Sequence, residues 1–319
     1  MIRVISIPRG KVQYFVSIEE LINIMNEYLK MCYGEYAYTR DLESFKAMYL
    51  ENPDIAYFII IMLFNRVMGF ALINKRRVNY EGISELKGPF VNPLLPLSVI
   101  EEITNVTINE ALHLTKGLGA HQLEAYTLNE GFLNAVKRTA LLKNGFIELE
   151  RGYEMTFQCT DRICSEEIET LSNSLLIDYR FENQELRKAL LLVVNESFAK
   201  HPGFTPITEE DLRRRENTKS WRESEKKLLF LDKEVVGEVI YGVPSKLYGY
   251  INSIGIRPKY QGKGFGKLLM RIAIRDLCCQ KGVEEVRLWV HANNDKAIKL
   301  YSKIGFAIDD ITYIYRRAT

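Results

Sequence analysis

Residues Arg257 to Gly266 read Arg-Pro-Lys-Tyr-Gln-Gly-Lys-Gly-Phe-Gly. They follow an apolar stretch, Tyr250 to Ile256, that has the character of a strand. They precede Lys267-Leu268-Leu269-Met270, which continues a helix. Alternating glycines where a strand hands over to a helix constrain the fold more than any other feature of the chain. Glycine allows backbone turns closed to other residues and lets a ligand approach main-chain N–H groups. A helix start adds four unpaired N–H groups and a partial positive charge. The junction is therefore expected to cradle an anion, most simply a phosphate or pyrophosphate.

Two familiar phosphate motifs do not fit it. A P-loop needs Gly-Lys followed by Ser or Thr, but Gly262-Lys263 is followed by Gly264 and Gly266-Lys267 by Leu268. The dinucleotide fingerprint G-x-G-x-x-G fails because the sixth position from Gly262 is Lys267. What does fit is Gln-x-x-Gly-x-Gly, Gln261 to Gly266. Downstream, Val286 to Val290 reads as a strand, and Asn293-Asn294 can cap the helix after it. That helix carries N-x-x-A-x-x-L-Y-x-K-x-G-F, matched at Asn294, Ala297, Leu300, Tyr301, Lys303, Gly305 and Phe306. Gly305 suits a helix C-cap and Phe306 the core.

These two patterns, in this order, resemble the acetyl-CoA signatures of the GNAT acyltransferase superfamily. The resemblance implies an α/β (α+β) fold, a mixed and mostly antiparallel sheet flanked by helices. It also implies acetyl-CoA as cosubstrate and direct acyl transfer to an amine. N–H groups from Gln261, Gly262, Lys263, Gly264, Phe265, Gly266 and Lys267 would hold the pyrophosphate. Ile254, Gly255 and Ile256 would present main-chain groups to the pantetheine arm, one of them polarising the thioester carbonyl. Asn294 either bonds that arm or only caps its helix. Tyr301 lies two turns from Asn294 on the same face, with the small Ala297 between them, and is expected to meet the departing sulfur. A tyrosine pKa of about 10 against about 8.5 for a thiol favours charge stabilisation over full proton donation. Many relatives place a glutamate on the strand before the cradle, where this chain has Tyr250, Asn252 and Ser253. Glu238 on the neighbouring strand is the candidate base, or a solvent-facing strand residue. His201, in His201-Pro202-Gly203-Phe204, is an acceptor-pocket or ordinary loop histidine.

The chain repeats one plan. Helices at 18–31 and 41–50, a hairpin at 57–64 and 66–74, a strand at 84–92, a helix at 97–114, a strand at 121–127 and a helix at 132–143 lead to Tyr153–Gln158, expected to close the first half. Helices at 184–198 and 209–215, a hairpin at 227–232 and 235–241, a strand at 247–256, a helix at 266–281, a strand at 284–291, a helix at 294–304 and a last strand at 311–316 make the second. Val67-Met68-Gly69-Phe70 echoes Val235-Val236-Gly237-Glu238, and Leu142 to Phe146 matches Ser302 to Phe306. Two tandem GNAT-like domains are expected, 1–160 and 174–319, in a layout similar to tandem members such as mycothiol synthase. Leu94-Leu95-Pro96-Leu97 replaces the glycine cradle in the first copy and Leu141 replaces Tyr301. The first copy is thus expected to be non-catalytic.

Length and composition set the remaining bounds. At 319 residues the chain is long enough for two domains, and 47% hydrophobic with 26% charged residues is ordinary for a globular protein. A net charge of +2 gives no reason to expect a nucleic-acid or membrane partner. No apolar run is long enough to span a bilayer, and no signal-peptide core follows Met1. Cysteines at 32, 159, 164, 278 and 279 form no C-x-x-C pair, and four scattered histidines make no metal motif. Neither disulfides nor a metal are expected, and a reducing cytoplasm is the simplest setting. The expected activity is N-acetyl transfer to a small-molecule or peptide amine, by a monomer or homodimer. A silent acyl-CoA sensor and an O-acyltransferase are the alternatives.

Overall fold

The computed structural model describes residues 2–34, 37, 40–165, 174–201, 203–244 and 247–319. They group into two compact units, Met1–Gly152 with Asp310–Thr319, and Tyr153–Asp309. In chain order the first part carries β1 (Ile2–Pro8), α1 (Ile18–Tyr33), α2 (Leu42–Phe45), β2 (Ile55–Leu63), β3 (Arg66–Asn74), α3 (Val78–Glu81), β4 (Ile83–Val91), α4 (Leu97–Gly117), β5 (Gln122–Leu128), α5 (Phe132–Lys143) and β6 (Ile147–Gln158). The rest carries α6 (Asp161–Ser165), β7 (Ser174–Asp178), α7 (Gln184–Phe198), α8 (Glu209–Glu216), α9 (Lys219–Glu223), β8 (Glu225–Leu231), β9 (Glu234–Gly242), β10 (Tyr248–Ile256), α10 (Phe265–Arg275), β11 (Glu285–His291), α11 (Asp295–Ile304) and β12 (Ala307–Ala318). Among the described residues, no helix is long and apolar enough to cross a membrane.

The sheet order is β1-β2-β3-β4-β5-β12 in the first unit and β7-β8-β9-β10-β11-β6 in the second. β4–β5 and β10–β11 run parallel. The pairs β1–β2, β2–β3, β3–β4 and β5–β12, and likewise β7–β8, β8–β9 and β9–β10, run antiparallel. This is the mixed, mostly antiparallel α/β class that the sequence implies. Both hairpins turn through two residues of positive φ, Phe64-Asn65 and Asp232-Lys233, the geometry that matches strand twist. Side-chain caps fix the helix starts around the site. The Asn183 side chain accepts from the N–H groups of Glu185 and Leu186, and Thr208 and Asp211 make a reciprocal capping box.

Two strands depart from the expected division. Tyr153–Gln158, expected to close the first half, belongs to the second unit as the end of β6. The last strand, expected in the second half, places Thr312–Ala318 antiparallel to β5 in the first unit. The boundaries 1–160 and 174–319 therefore shift to an exchange of segments. Periodicity shows that a strand exists but not which edge it joins. Strands β1 and β7 were not expected. Of the join at 160–173, residues 166–173 lie outside the described residues.

The cysteine reading is also corrected. Cys159 bonds Cys278 and Cys164 bonds Cys279. The first pair is 119 residues apart and the second 115, so local spacing could not reveal them. Neighbouring cysteines that face different ways can each meet a separate partner. Here α6 and the end of β6 bring those partners to the π-turn Asp276–Gln280. The reducing setting inferred from a lack of disulfides loses its basis. Cys32 is a free thiol.

The units repeat each other down to residue register. Gly69 pairs with Val91 and Phe70 with Phe90, and Gly237 pairs with Ile256 and Glu238 with Gly255. Where the second unit sets a carboxylate against a glycine, the first sets two phenyl rings 5.1 Å apart. Counting back from Gly145 and Gly305, Lys137 stands where Ala297 does. Lys137 is 7% exposed, and burial pushes its ammonium down to about 8. The folded pKa lies below the unfolded value of 10.5, so stability is lost as pH falls from there through 8. At pH 7 the cost is about 3 kcal/mol. Lys137→Met should therefore raise stability in urea unfolding at pH 7, with the gain shrinking towards pH 10.

Candidate functional site

The parallel pairing of β10 with β11 runs only from Tyr248–Ile251 against Glu285–Leu288. Its register with β9 shifts between Ile251 and Ser253, so Asn252 is a bulge residue. Beyond it, Ser253–Ile256 are paired on the β9 side and have no ladder to β11. That free side can take another extended chain or a ligand arm. The end of β10 leads into the glycine turn. Gly262 (φ 77°) and Gly264 (φ 88°) hold conformations that other residues rarely adopt, and a Cβ at either would meet nothing within 4 Å. Gly264 is the N-cap of α10, and no side chain caps this helix. Its first N–H groups thus border open space, as an anion site requires.

The other expected cradle residues divide by role. The Gln261 amide donates to the Ile256 carbonyl at 3.0 Å, tying the turn back to its strand. Phe265 turns its ring into the core at 5% exposed, leaving only main-chain atoms for the turn. Gly266 allows α10 to pack closely, since a Cβ there would lie 3.4 Å from Leu300 Cδ2. The Lys263 ammonium lies 5.6 Å from the Tyr260 ring centroid. Lys267 lines a separate cleft with Arg271, Arg275 and Lys303. Asn294 caps α11, its side chain accepting from the Ala297 N–H at 3.2 Å. Ile254 and Ile256 pack on the core around α10.

Glu238 is wholly buried rather than solvent-facing. Burial raises its carboxyl to about 7, against the lowering effect of a hydrogen bond from Ser253. The Ser253 hydroxyl donates to Glu238 Oε1 at 2.7 Å. Among the described residues, Glu238 Oε2 and the Ser197 hydroxyl are buried without hydrogen-bond partners. Both groups flank Gly255, where a Cβ would stand 3.0 Å from Glu238 Oε1 and 3.1 Å from Ser197 Oγ. Ser197 is held there by its neighbour, because Glu196 takes both ends of the Arg257 guanidinium at 2.9 and 3.1 Å. Tyr301 is 8% exposed, and burial, then the charge of Glu238, pushes its phenol up to about 12. Glu238 and Tyr301 thus feel one another through the site.

Residues 193–306 match the model of the Acetyltransferase (GNAT) family. A tandem GNAT protein from the clavulanic acid biosynthesis pathway superposes over 100% of this chain and 98% of its own, with TM-score 0.74 at 12% identity. Residues 193–306 thus carry a GNAT domain, and the fold of the whole chain is that of a tandem GNAT protein. A GCN5-related N-acetyltransferase from Sphaerobacter thermophilus shares the fold over 99% of this chain and 95% of its own, with TM-score 0.65 at 15% identity. Among curated relatives, the mycothiol acetyltransferase of Streptomyces scabiei is 32% identical over 125 residues, 39% of this chain and 40% of that protein. That of Kocuria rhizophila is 32% identical over 145 residues, 43% and 47% of the two chains. The match thus spans less than half the length of these relatives.

An aromatic wall follows α7. The rings of His201 and His291 lie 4.6 Å apart, as do those of Trp289 and His291, and Phe198 lies 6.0 Å from His201. Pro202, beside His201, lies outside the described residues. Neither His291 nor Ser197 was marked by any motif, since both are brought in by tertiary packing. The site also carries a stability signature. The Glu238 proton is held more tightly in the folded chain than in the unfolded one. That stability is full below about 4.5 and is lost as pH rises through 7. Glu238→Gln, which cannot ionise, should be more stable than the parent at pH 8 by about 3 kcal/mol. The two should converge near pH 4 in chemical denaturation.

Proposed function

We propose that this chain is an acetyl-CoA-dependent N-acetyltransferase, and that the second unit, which carries the acyl-CoA signatures, does the chemistry. The observation that carries the reading is one continuous path. An uncapped glycine turn leads to an unpaired strand edge, and that edge ends beside a buried carboxylate coupled to a buried phenol. The first unit keeps the break in the ladder but lacks the other parts, with leucines at the turn, Phe70 and Phe90 in the pocket, and Leu141 for the phenol. Relatives named mycothiol acetyltransferase favour a small-molecule acceptor.

The residues fit acetyl-CoA by the open cradle at Gly262 and Gly264 and the free edge of Ser253–Ile256. N–H groups of Gly264 to Lys267 would hold its pyrophosphate, and main-chain groups of Ile254 to Ile256 its arm. Bound there, it supplies an acyl group activated as a thioester. Glu238, poised near 7, can take a proton at neutral pH. It is closed to solvent while Ser253 is half-buried, so the proton passes from the acceptor ammonium to Ser253 Oγ as the serine proton moves to Glu238 Oε1. Tyr301, raised to about 12, keeps its own proton. Full donation to a thiolate of pKa about 8.5 would be uphill by about 5 kcal/mol, so the phenol acts as a hydrogen-bond donor to developing charge.

Release of free CoA across a panel of primary amines tests the activity; acetyl-CoA binding with no turnover for any amine would instead mark a sensor. Tyr301→Phe should lower kcat at least tenfold with little change in acetyl-CoA affinity, and equal losses in both would remove its role. The kcat/KM of the parent should rise with pH through about 7, as Glu238 ionises. Ser253→Ala should depress turnover and Ser253→Thr should restore most of it. Intact turnover in Ser253→Ala would show that the proton takes another route.

A further inference from the structure

Basic residues recur every fourth position through Lys259, Lys263, Lys267, Arg271 and Arg275, and α10 itself contains no acidic residue. On a helix, residues four apart are neighbours, and like charges there repel. The stripe Lys267-Arg271-Arg275 thus works against the helix that carries it. The glycine turn does not need it, since main-chain N–H groups already serve an anion there. Arg275 lies eleven residues beyond the N-cap Gly264, about 16 Å along the axis.

The stripe lines a cleft of about 200 Å³ between α10 and α11. Its lining is Lys267, Arg271 and Arg275 from α10, Lys303 from α11, and Ile163, Ile274 and Ile304, with no acidic side chain among them. Ile163 comes from α6, which the two disulfides fasten to the π-turn after α10. An Arg275 Nη2 donates to the Cys164 carbonyl at 3.4 Å, so the cysteine segment also aims a cation.

We propose that this cleft is a second anion site, for a phosphate monoester on a small flat or apolar body, with its wall held by the two disulfides. Two guanidinium forks match the oxygen pairs of a phosphate, and two lysines add compact charge. The three isoleucines offer an apolar floor. The volume falls below that of an ordinary cofactor pocket, which suits a nucleoside monophosphate better than a whole coenzyme. Reduction by a dithiol breaks each S–S bond to two thiols while the dithiol closes to its own disulfide. That frees α6 and with it Ile163 and the Cys164 carbonyl. By linkage, a ligand that favours the closed wall must also shift the thiol–disulfide equilibrium towards the disulfides.

Calorimetric titration of the full chain with AMP tests the site, with adenosine as the phosphate-free control. AMP should bind at least tenfold tighter than adenosine. Arg271→Ala with Arg275→Ala should weaken AMP at least tenfold while acetyl-CoA affinity stays within twofold. Dithiothreitol should weaken AMP severalfold, an effect absent once Cys159, Cys164, Cys278 and Cys279 are all replaced by serine, and AMP should lower the fraction of free thiols at equilibrium with a fixed dithiol–disulfide ratio. AMP binding no better than adenosine, or unchanged in the arginine variant, overturns the site. Titrations with CoA and dephospho-CoA separate the two sources of phosphate. If the arginine variant loses CoA but not dephospho-CoA, the cations serve the 3′-phosphate of CoA and the independent site is overturned. AMP affinity indifferent to dithiothreitol would overturn the disulfide-held wall.

Discussion

The interruption of the β10–β11 ladder is the constraint on which the candidate site depends. A parallel pair that ran its full length would bury the edge of Ser253–Ile256 in hydrogen bonds and leave nothing for a ligand. The bulge at Asn252 ends the pairing and keeps the strand attached to β9 on its other side. Attachment to β9 matters equally, because it brings Glu238 opposite Gly255. The absence of a side chain at Gly255 then leaves room for Glu238 and Ser197 to approach one point. The ion pair of Arg257 with Glu196 fixes α7 over that point. A backbone irregularity thus sets the geometry that the side chains complete.

The first unit shows the same scaffold with an apolar pocket. Its β4–β5 ladder also stops early, at Leu86 and Ala125, and its β3–β4 register also shifts. Yet Phe70 and Phe90 fill the place of the carboxylate and glycine, and Phe90 packs edge-on against Tyr28. The duplication retained the break in the ladder while the contents of the pocket diverged to apolar packing.

Much of the site was legible because its signals are local. Positive φ at Gly262 and Gly264, the Asn294 cap and the Gly305 cap are properties of a few consecutive residues, and the sequence pattern carries them. Glu238 could be named from the strand pattern. Its burial depends on α7 lying above it, which no strand pattern records. Ser197, His291 and both disulfides join residues far apart in sequence, so only the fold brings them together. The helices around the site were readable from apolar spacing and caps. The destinations of β6 and β12 were not, since an edge strand looks the same whichever sheet it completes.

That exchange bears on how the protein can be made. The first unit includes Asp310–Thr319, and β5 meets its second neighbour, on the side away from β4, only when Thr312–Ala318 arrive. During synthesis the first sheet therefore waits, with one edge open, until nearly the whole described chain has left the ribosome. A cut in the join would likewise separate the sequence halves without separating the folded ones, because each piece would carry off a strand belonging to the other's sheet. The two copies are repeats in sequence, but as folding units they depend on one polypeptide.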